Sequence, residues 1–168
     1  EQNYDENMSD KSSLPNIEPV TRGLAFALMS VPFFRDYYNI LIVHNTKVKF
    51  KDQSGRNISY ADIFKDTGIH TTSGNKEFSL SDQIKAYESK SYKEKKNVII
   101  LTGAKLRLGI SLPCVDIGFN FDSIQSVDLN YQTMFRVLTE RYNKPKTHGY
   151  YVDFNKNRFI KFLYEFSN

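Results

Sequence analysis

Tryptophan is absent from this chain, and cysteine occurs once, as Cys114. A single thiol excludes an internal disulfide and makes a reducing, intracellular compartment the simpler setting. Cys114 follows Pro113 between two apolar stretches, which reads as a packing residue rather than a nucleophile. No apolar run reaches the ~18 residues of a membrane span, so no membrane partner is expected. The amino end has neither a basic-then-apolar leader nor an initiator Met, and the expectation is a fragment or processed product. His44, His70 and His148 are scattered with no cysteine cluster beside them, so no metal site is expected. Asp116, Asp122 and Asp128 stand six residues apart, a spacing that fits caps and turns better than a nuclease centre. Gly-x-Ser-x-Gly does not occur. Neither does Gly-x-x-x-x-Gly-Lys-[Ser/Thr], and no Asp-Glu pair follows an apolar strand. The lone Asp5-Glu6 lies in the polar amino-terminal stretch.

What is present suits one α/β domain. The 168 residues are enough for a sizeable core. Aromatic content is 14%, all of it Tyr and Phe, and the net charge of +4 suits a polyanion partner. Residues 1–18 are too polar to fold alone and read as an arm or linker; residues 19–168 form the domain. Pro19 to Ser30 reads as a helix with Leu24, Ala25, Leu28 and Met29 inward, stopped by Pro32. Tyr38 to His44 is a strand buried on both faces. Val48 to Phe64, with the turn Ser54-Gly55-Arg56-Asn57, reads as a short hairpin or irregular insertion. Gly68 to Thr72 is a short strand. Ser79 to Lys93 is a helix with Ile84 and Tyr87 inward and Ser79 or Ser81 as its cap. Val98 to Leu101, Val115 to Phe119 and Tyr150 to Phe154 are further strands. Leu129 to Arg141 is a helix that buries Met134, Phe135, Val137 and Leu138. Asn157 to Phe166 is a closing helix that buries Phe159, Ile160, Leu163 and Phe166. This alternation implies a mainly parallel sheet with helices on both faces.

In an open parallel sheet, ligands gather outside the carboxyl ends of the strands. Here those ends carry His44-Asn45-Thr46, Thr71-Thr72-Ser73, Thr102-Gly103-Ala104-Lys105 and Asp153. Any one such loop reads as an ordinary cap. Several polar loops on one rim of a basic chain point to phosphate contacts.

The same segments resemble a family. Val98 to Asp122 resembles motif V of superfamily 2 helicases and translocases, with Thr102, Arg107 and Asp122 in matching places, Gly109 one place later than usual, and Ser111 where many members have Asp. Tyr131 to Arg141 resembles motif VI, Gln-x-x-Gly-Arg-x-x-Arg. Gln132 and Arg136 match, Phe135 replaces the Gly, and Thr139 stands where the second Arg belongs. Arg141 lies about 200° around the helix from Thr139 and does not take its place. Asn39 to Thr46 is similar to motif IV. The resemblance spans Pro19 to Phe154, and its nearest flavour is the helicase-like proteins of large cytoplasmic DNA viruses. It implies the second, carboxyl-terminal RecA-like lobe of a P-loop motor, in host cytoplasm or a virion.

Several expectations follow from that resemblance. ATP and Mg2+ would be held mainly by a first RecA-like lobe absent from this sequence, and this chain alone would be inactive. Arg136 would meet the γ-phosphate, with Gln132 beside it and with Arg107 and Gly109 also at the nucleotide. A fixed guanidinium there is worth ~10³-fold or more in rate. His44, Asn45, Thr46, Thr71, Ser73, Thr102, Gly103 and Lys105 would grip the backbone of DNA or RNA. The departures at Phe135 and Thr139 motivate a second reading: a non-catalytic docking module for nucleic acid or protein with a helicase-like fold. A free-standing nucleotide-binding or nuclease-like domain is a third.

Overall fold

A computed structural model describes residues 17–44, 50–51, 54–58, 63–64, 67–72, 79–103, 112–121, 126–139 and 146–167. Among them, helices alternate with mostly parallel strands, a mixed α/β arrangement. The helices are α1 (Ile17–Ser30), α2 (Pro32–Tyr37), α3 (Leu80–Lys93), α4 (Val127–Leu138) and α5 (Lys156–Ser167). The strands are β1 (Tyr38–Val43), β2 (Phe50–Lys51), β3 (Asn57–Ile58), β4 (Ile69–Thr72), β5 (Asn97–Thr102), β6 (Ile117–Asn120) and β7 (Tyr150–Asp153). None of the described helices is long and apolar enough to cross a membrane.

The first sheet has the order β4-β1-β5, and both pairings are parallel. Central β1 is buried on both faces, as its unbroken Ile-Leu-Ile-Val run requires. Ile40 and Ile42 point to one side, where they meet Ala25 of α1, Phe64 and Ile69, with Leu28 and Met29 packed beside them. Leu41 and Val43 point to the other, against Leu80, Ile84 and Tyr87 of α3 and Leu112. Each fully buried aliphatic side chain contributes about 1.5–3 kcal/mol relative to exposure. Ser79 caps α3, its hydroxyl accepting from the Asp82 amide at 3.2 Å. At the opposite end of β1, the buried Asn39 amide donates to Ser91 at 3.0 Å and to Glu94 at 2.7 Å. These bonds join the start of β1 to the end of α3.

The second sheet is the parallel pair β6-β7, with Gly118 opposite Tyr151 and Asn120 opposite Asp153. One face meets α4, and the fit is close. A β-carbon on Gly118 would stand 2.6 Å from the Val137 side chain, and one on Gly149 would stand 2.5 Å from the Val137 carbonyl oxygen. The Lys146 ammonium donates to the carbonyls of Val137 and Val115, neutralising the carboxyl end of α4. The opposite face, formed by Ile117, Phe119, Tyr150 and Val152, is exposed. Among the described residues, helices thus lie on both faces of the first sheet and on one face of the second.

Several elements depart from the sequence reading. Pro32 ends α1 but opens α2 directly, because proline at the first helical position loses no hydrogen bond. Leu24 lies on the exposed side of α1. β6 starts two residues late, since Leu112 to Val115 form a turn closed by the Val115 amide on the Leu112 carbonyl at 3.0 Å. In α4, Phe135 and Leu138 are exposed, and Asn130 and Val137 are the buried residues. The largest correction is α5. Phe159, Ile160 and Leu163 are exposed, and the inward position belongs to Arg158. A buried charge must meet its partner, and Asp153 fixes which side of α5 faces the sheet. The hairpin expectation holds, with β2 and β3 antiparallel around Gly55 at φ 81°.

Candidate functional site

The strands of the first sheet end side by side. Val43 is in register with Thr72 on one neighbour and Thr102 on the other. Side chains in register share a face, so both threonines flank Val43 on the side that α3 covers. The His44 amide donates to the Thr72 carbonyl at 2.9 Å, which carries the pairing one residue beyond β1. The Thr72 hydroxyl donates to the Gln83 side-chain oxygen, one turn into α3. The Thr102 side chain is exposed, and its hydroxyl donates to the Gly103 carbonyl at 3.1 Å. Thr71 is in register with Ile42 and belongs to the opposite, α1-facing side. Of the expected backbone contacts, His44, Thr102 and Gly103 thus gather on one rim; Thr71 sits behind it, and its place on the rim is taken by Thr72, which was not among them. Asn45, Thr46, Ser73, Lys105, Arg107, Gly109, Asp122 and Arg141 lie outside the described residues.

Gln132 and Arg136 are one turn apart on α4, so they share a helix face. Gln132 is exposed and Arg136 is half-buried. Burial pulls the Arg136 guanidinium below its ordinary value, although an arginine remains charged at neutral pH. Both belong to the layer on the β6-β7 sheet. The helix ends immediately beyond them. Thr139 leaves helical geometry at ψ 126°, and its hydroxyl donates to the Phe135 carbonyl at 3.1 Å. The position of the second motif arginine is therefore a helix cap. Ser126 caps the other end, accepting from the Leu129 amide at 3.3 Å.

Asp153, expected at the rim as a strand end, is a structural ion pair. Arg158 grips its carboxylate with two bonds, from Nε at 2.8 Å and Nη2 at 2.6 Å. The two side chains are 0% and 1% exposed. Burial alone would raise the Asp153 carboxyl; Arg158, the Asn155 amide and Asn130 outweigh it and hold the group below the usual range. The network extends to both strands. The Asn120 amide donates to Tyr151 Oη at 2.8 Å and to Asn130 Oδ1 at 3.3 Å, and Tyr151 Oη donates to Asn130 Oδ1 at 2.5 Å. α4, α5, β6 and β7 are thereby tied at one point. The sequence held a signal for this: Asp153, the cap Asn155 and Arg158 form a strand-end and helix-start unit, with the Arg158 amide on Asn155 Oδ1 at 3.2 Å. Gln83 had no such signal beyond lying four residues after the Ser79 cap.

Among the described residues, no group of three His, Cys, Asp or Glu side chains could hold a metal ion. Cys114 is half-buried against the α3-side core, and burial pushes its thiol up, which suits packing rather than attack. The His70 ring lies tilted against Tyr87 with ring centroids 4.9 Å apart, and burial, aided by Lys90, lowers its pKa. His148 is exposed beside Thr147. Compared with protein-family models, curated proteins and solved structures, the chain matches none.

Proposed function

We propose that this chain is the second, RecA-like lobe of an ATP-driven motor on nucleic acid, of the superfamily 2 helicase or translocase kind. The observation that carries the reading is the rim. Three neighbouring parallel strands finish together on His44, Thr72 and Thr102-Gly103. Hydroxyls and backbone groups so placed can follow a phosphate backbone without reading bases. A helix with Gln132 and Arg136 on one face then follows in the chain order of the resemblance. In this reading, Arg136 meets the γ-phosphate of a nucleotide held by a companion lobe. Its partial burial supports the role, because a desolvated guanidinium acts on a phosphate with less screening. Closure on ATP and reopening after hydrolysis would move the lobe along a strand.

The test is Arg136→Ala in this chain joined to an ATP-binding lobe. The expected outcome is a fall of ~10³-fold in nucleic-acid-stimulated ATP hydrolysis, with folding intact. Hydrolysis at the unmodified rate would overturn the assignment. One observation favours the second reading, a non-catalytic docking module: Thr139 closes α4 where the family places another arginine. Binding of nucleic acid by the joined protein with no nucleotide dependence would select it.

A further inference from the structure

Three phenylalanines lie together at the carboxyl end of the β6-β7 sheet. Phe119 is in β6, Phe121 follows its last residue, and Phe154 follows the last residue of β7. The Phe121 and Phe154 rings are stacked, with centroids 4.6 Å apart and planes within 12°. Phe119 lies 6.4 Å from Phe121 and 6.5 Å from Phe154. All three are exposed; Phe121 and Phe154 keep 67% and 61% of their surface in solvent. Phe119 and Val152 are in register, so the cluster continues the open face of the sheet.

Two features separate this cluster from a generic greasy patch. The first is ring geometry. A parallel stacked pair with its outer side in solvent offers a flat π surface, to which another flat ring can be added in the same offset arrangement. An aliphatic docking surface has no need of it. The second is charge. The acidic side chain next to Phe154 is Asp153, and it is buried and neutralised by Arg158. Lys156 and Lys161 are exposed on α5, the helix that Phe154 leads into, and the chain as a whole carries +4. Asp116 stands at the other, amino end of β6. Asp122, the residue after Phe121, lies outside the described residues.

We propose that Phe119, Phe121 and Phe154 form a stacking platform for the bases of single-stranded nucleic acid. This rests on the nucleic-acid reading above and adds base contacts to the phosphate contacts proposed there. Stacking on phenylalanine is tolerant of base identity, because every base has a π face. The platform would therefore separate unpaired from paired strands rather than one sequence from another, since a base inside a duplex has both faces covered by its stacked neighbours.

The experiment compares two labelled 12-mers by fluorescence anisotropy with the full 168-residue chain. One is oligothymidylate; the other is an abasic strand with the same phosphates. The expected result is at least about tenfold tighter binding of the thymidylate. In Phe121→Ala/Phe154→Ala the preference should vanish, leaving binding at the abasic level, whereas Phe121→Tyr/Phe154→Tyr should keep it. Because both rings are exposed, circular dichroism should show the variants folded. Equal affinity of the unmodified chain for the two strands would overturn the platform and leave phosphate binding at the rim standing. Binding of neither strand would overturn the nucleic-acid reading itself. If the alanine pair leaves the preference intact and instead turns a sedimenting dimer into a monomer, the cluster is a chain-to-chain contact and the platform falls.

Discussion

In the β4-β1-β5 sheet, Ile40 and Ile42 face α1 while Leu41 and Val43 face α3. In the β6-β7 sheet, Gly118, Asn120, Tyr151 and Asp153 face the side where α4 and α5 pack, while Ile117, Phe119, Tyr150 and Val152 face solvent. Both sheets are parallel, and parallel strands are usually covered on both faces. The difference lies in what holds each one. The first is held by aliphatic packing from two directions, and its polar atoms sit at its ends, in Asn39 and at the rim. The second has glycine, asparagine, tyrosine and a buried ion pair on its covered face, and its large apolar side chains on the other. Apolar packing is forgiving of small changes, whereas a buried polar network is sensitive to the loss of any one member. The second sheet should therefore fail through its charges and the first through its volume.

The largest expected effect breaks the network. Asp153→Ala leaves the Arg158 guanidinium buried without its carboxylate and should cost about 3–5 kcal/mol in urea unfolding. Its pH dependence follows from the direction of the shift. The folded-state carboxyl is held below its unfolded value of ~3.9. Its contribution is complete above that value and is lost as pH falls through the lower folded one. Unfolding curves of the unmodified chain and Asp153→Asn should thus converge as pH drops below ~4. A constant gap down to strong acid would remove the ion pair from the account.

Next comes the volume of the first sheet. Ile42→Ala at the centre of β1 should cost about 2–5 kcal/mol, because its site is closed on every side. Val152→Ala on the open face should stay within about 0.5 kcal/mol. Equal losses at the two positions would mean that the β6-β7 face is covered in solution. The smallest effect concerns a cap. Ser126→Ala removes the bond to the Leu129 amide at the start of α4 and should cost about 1 kcal/mol by thermal unfolding, while Ser126→Asp should restore it.

The amino-acid order alone determined a good deal. The aliphatic run of β1 admitted only a strand buried twice over, and alternation of strand and helix signals implied parallel pairing. Ser79 and Ser81 announced the start of α3, which Ser79 caps, and Gly55 the hairpin turn. These features are local or periodic, so a one-dimensional reading captures them. Half of the rim was legible for the same reason: His44 and Thr102 end their strands in the sequence as they do in space.

Only the tertiary structure decided the rest. Which of Thr71 and Thr72 joins the rim depends on register, and a slip of one residue would exchange them. The inward side of α5 could not be read from its apolar spacing. Phe159, Ile160 and Leu163 form a convincing stripe, yet they are exposed, and the side of α5 that faces the sheet is the one whose Arg158 meets the buried carboxylate of Asp153. The stacking of Phe121 on Phe154 joins residues 33 positions apart in the chain through β6-β7 pairing, a contact with no sequence signature. Local preference chose the elements of this protein. Tertiary packing chose which faces those elements show: aliphatic contacts in the first sheet, and in α5 the partner of a buried charge.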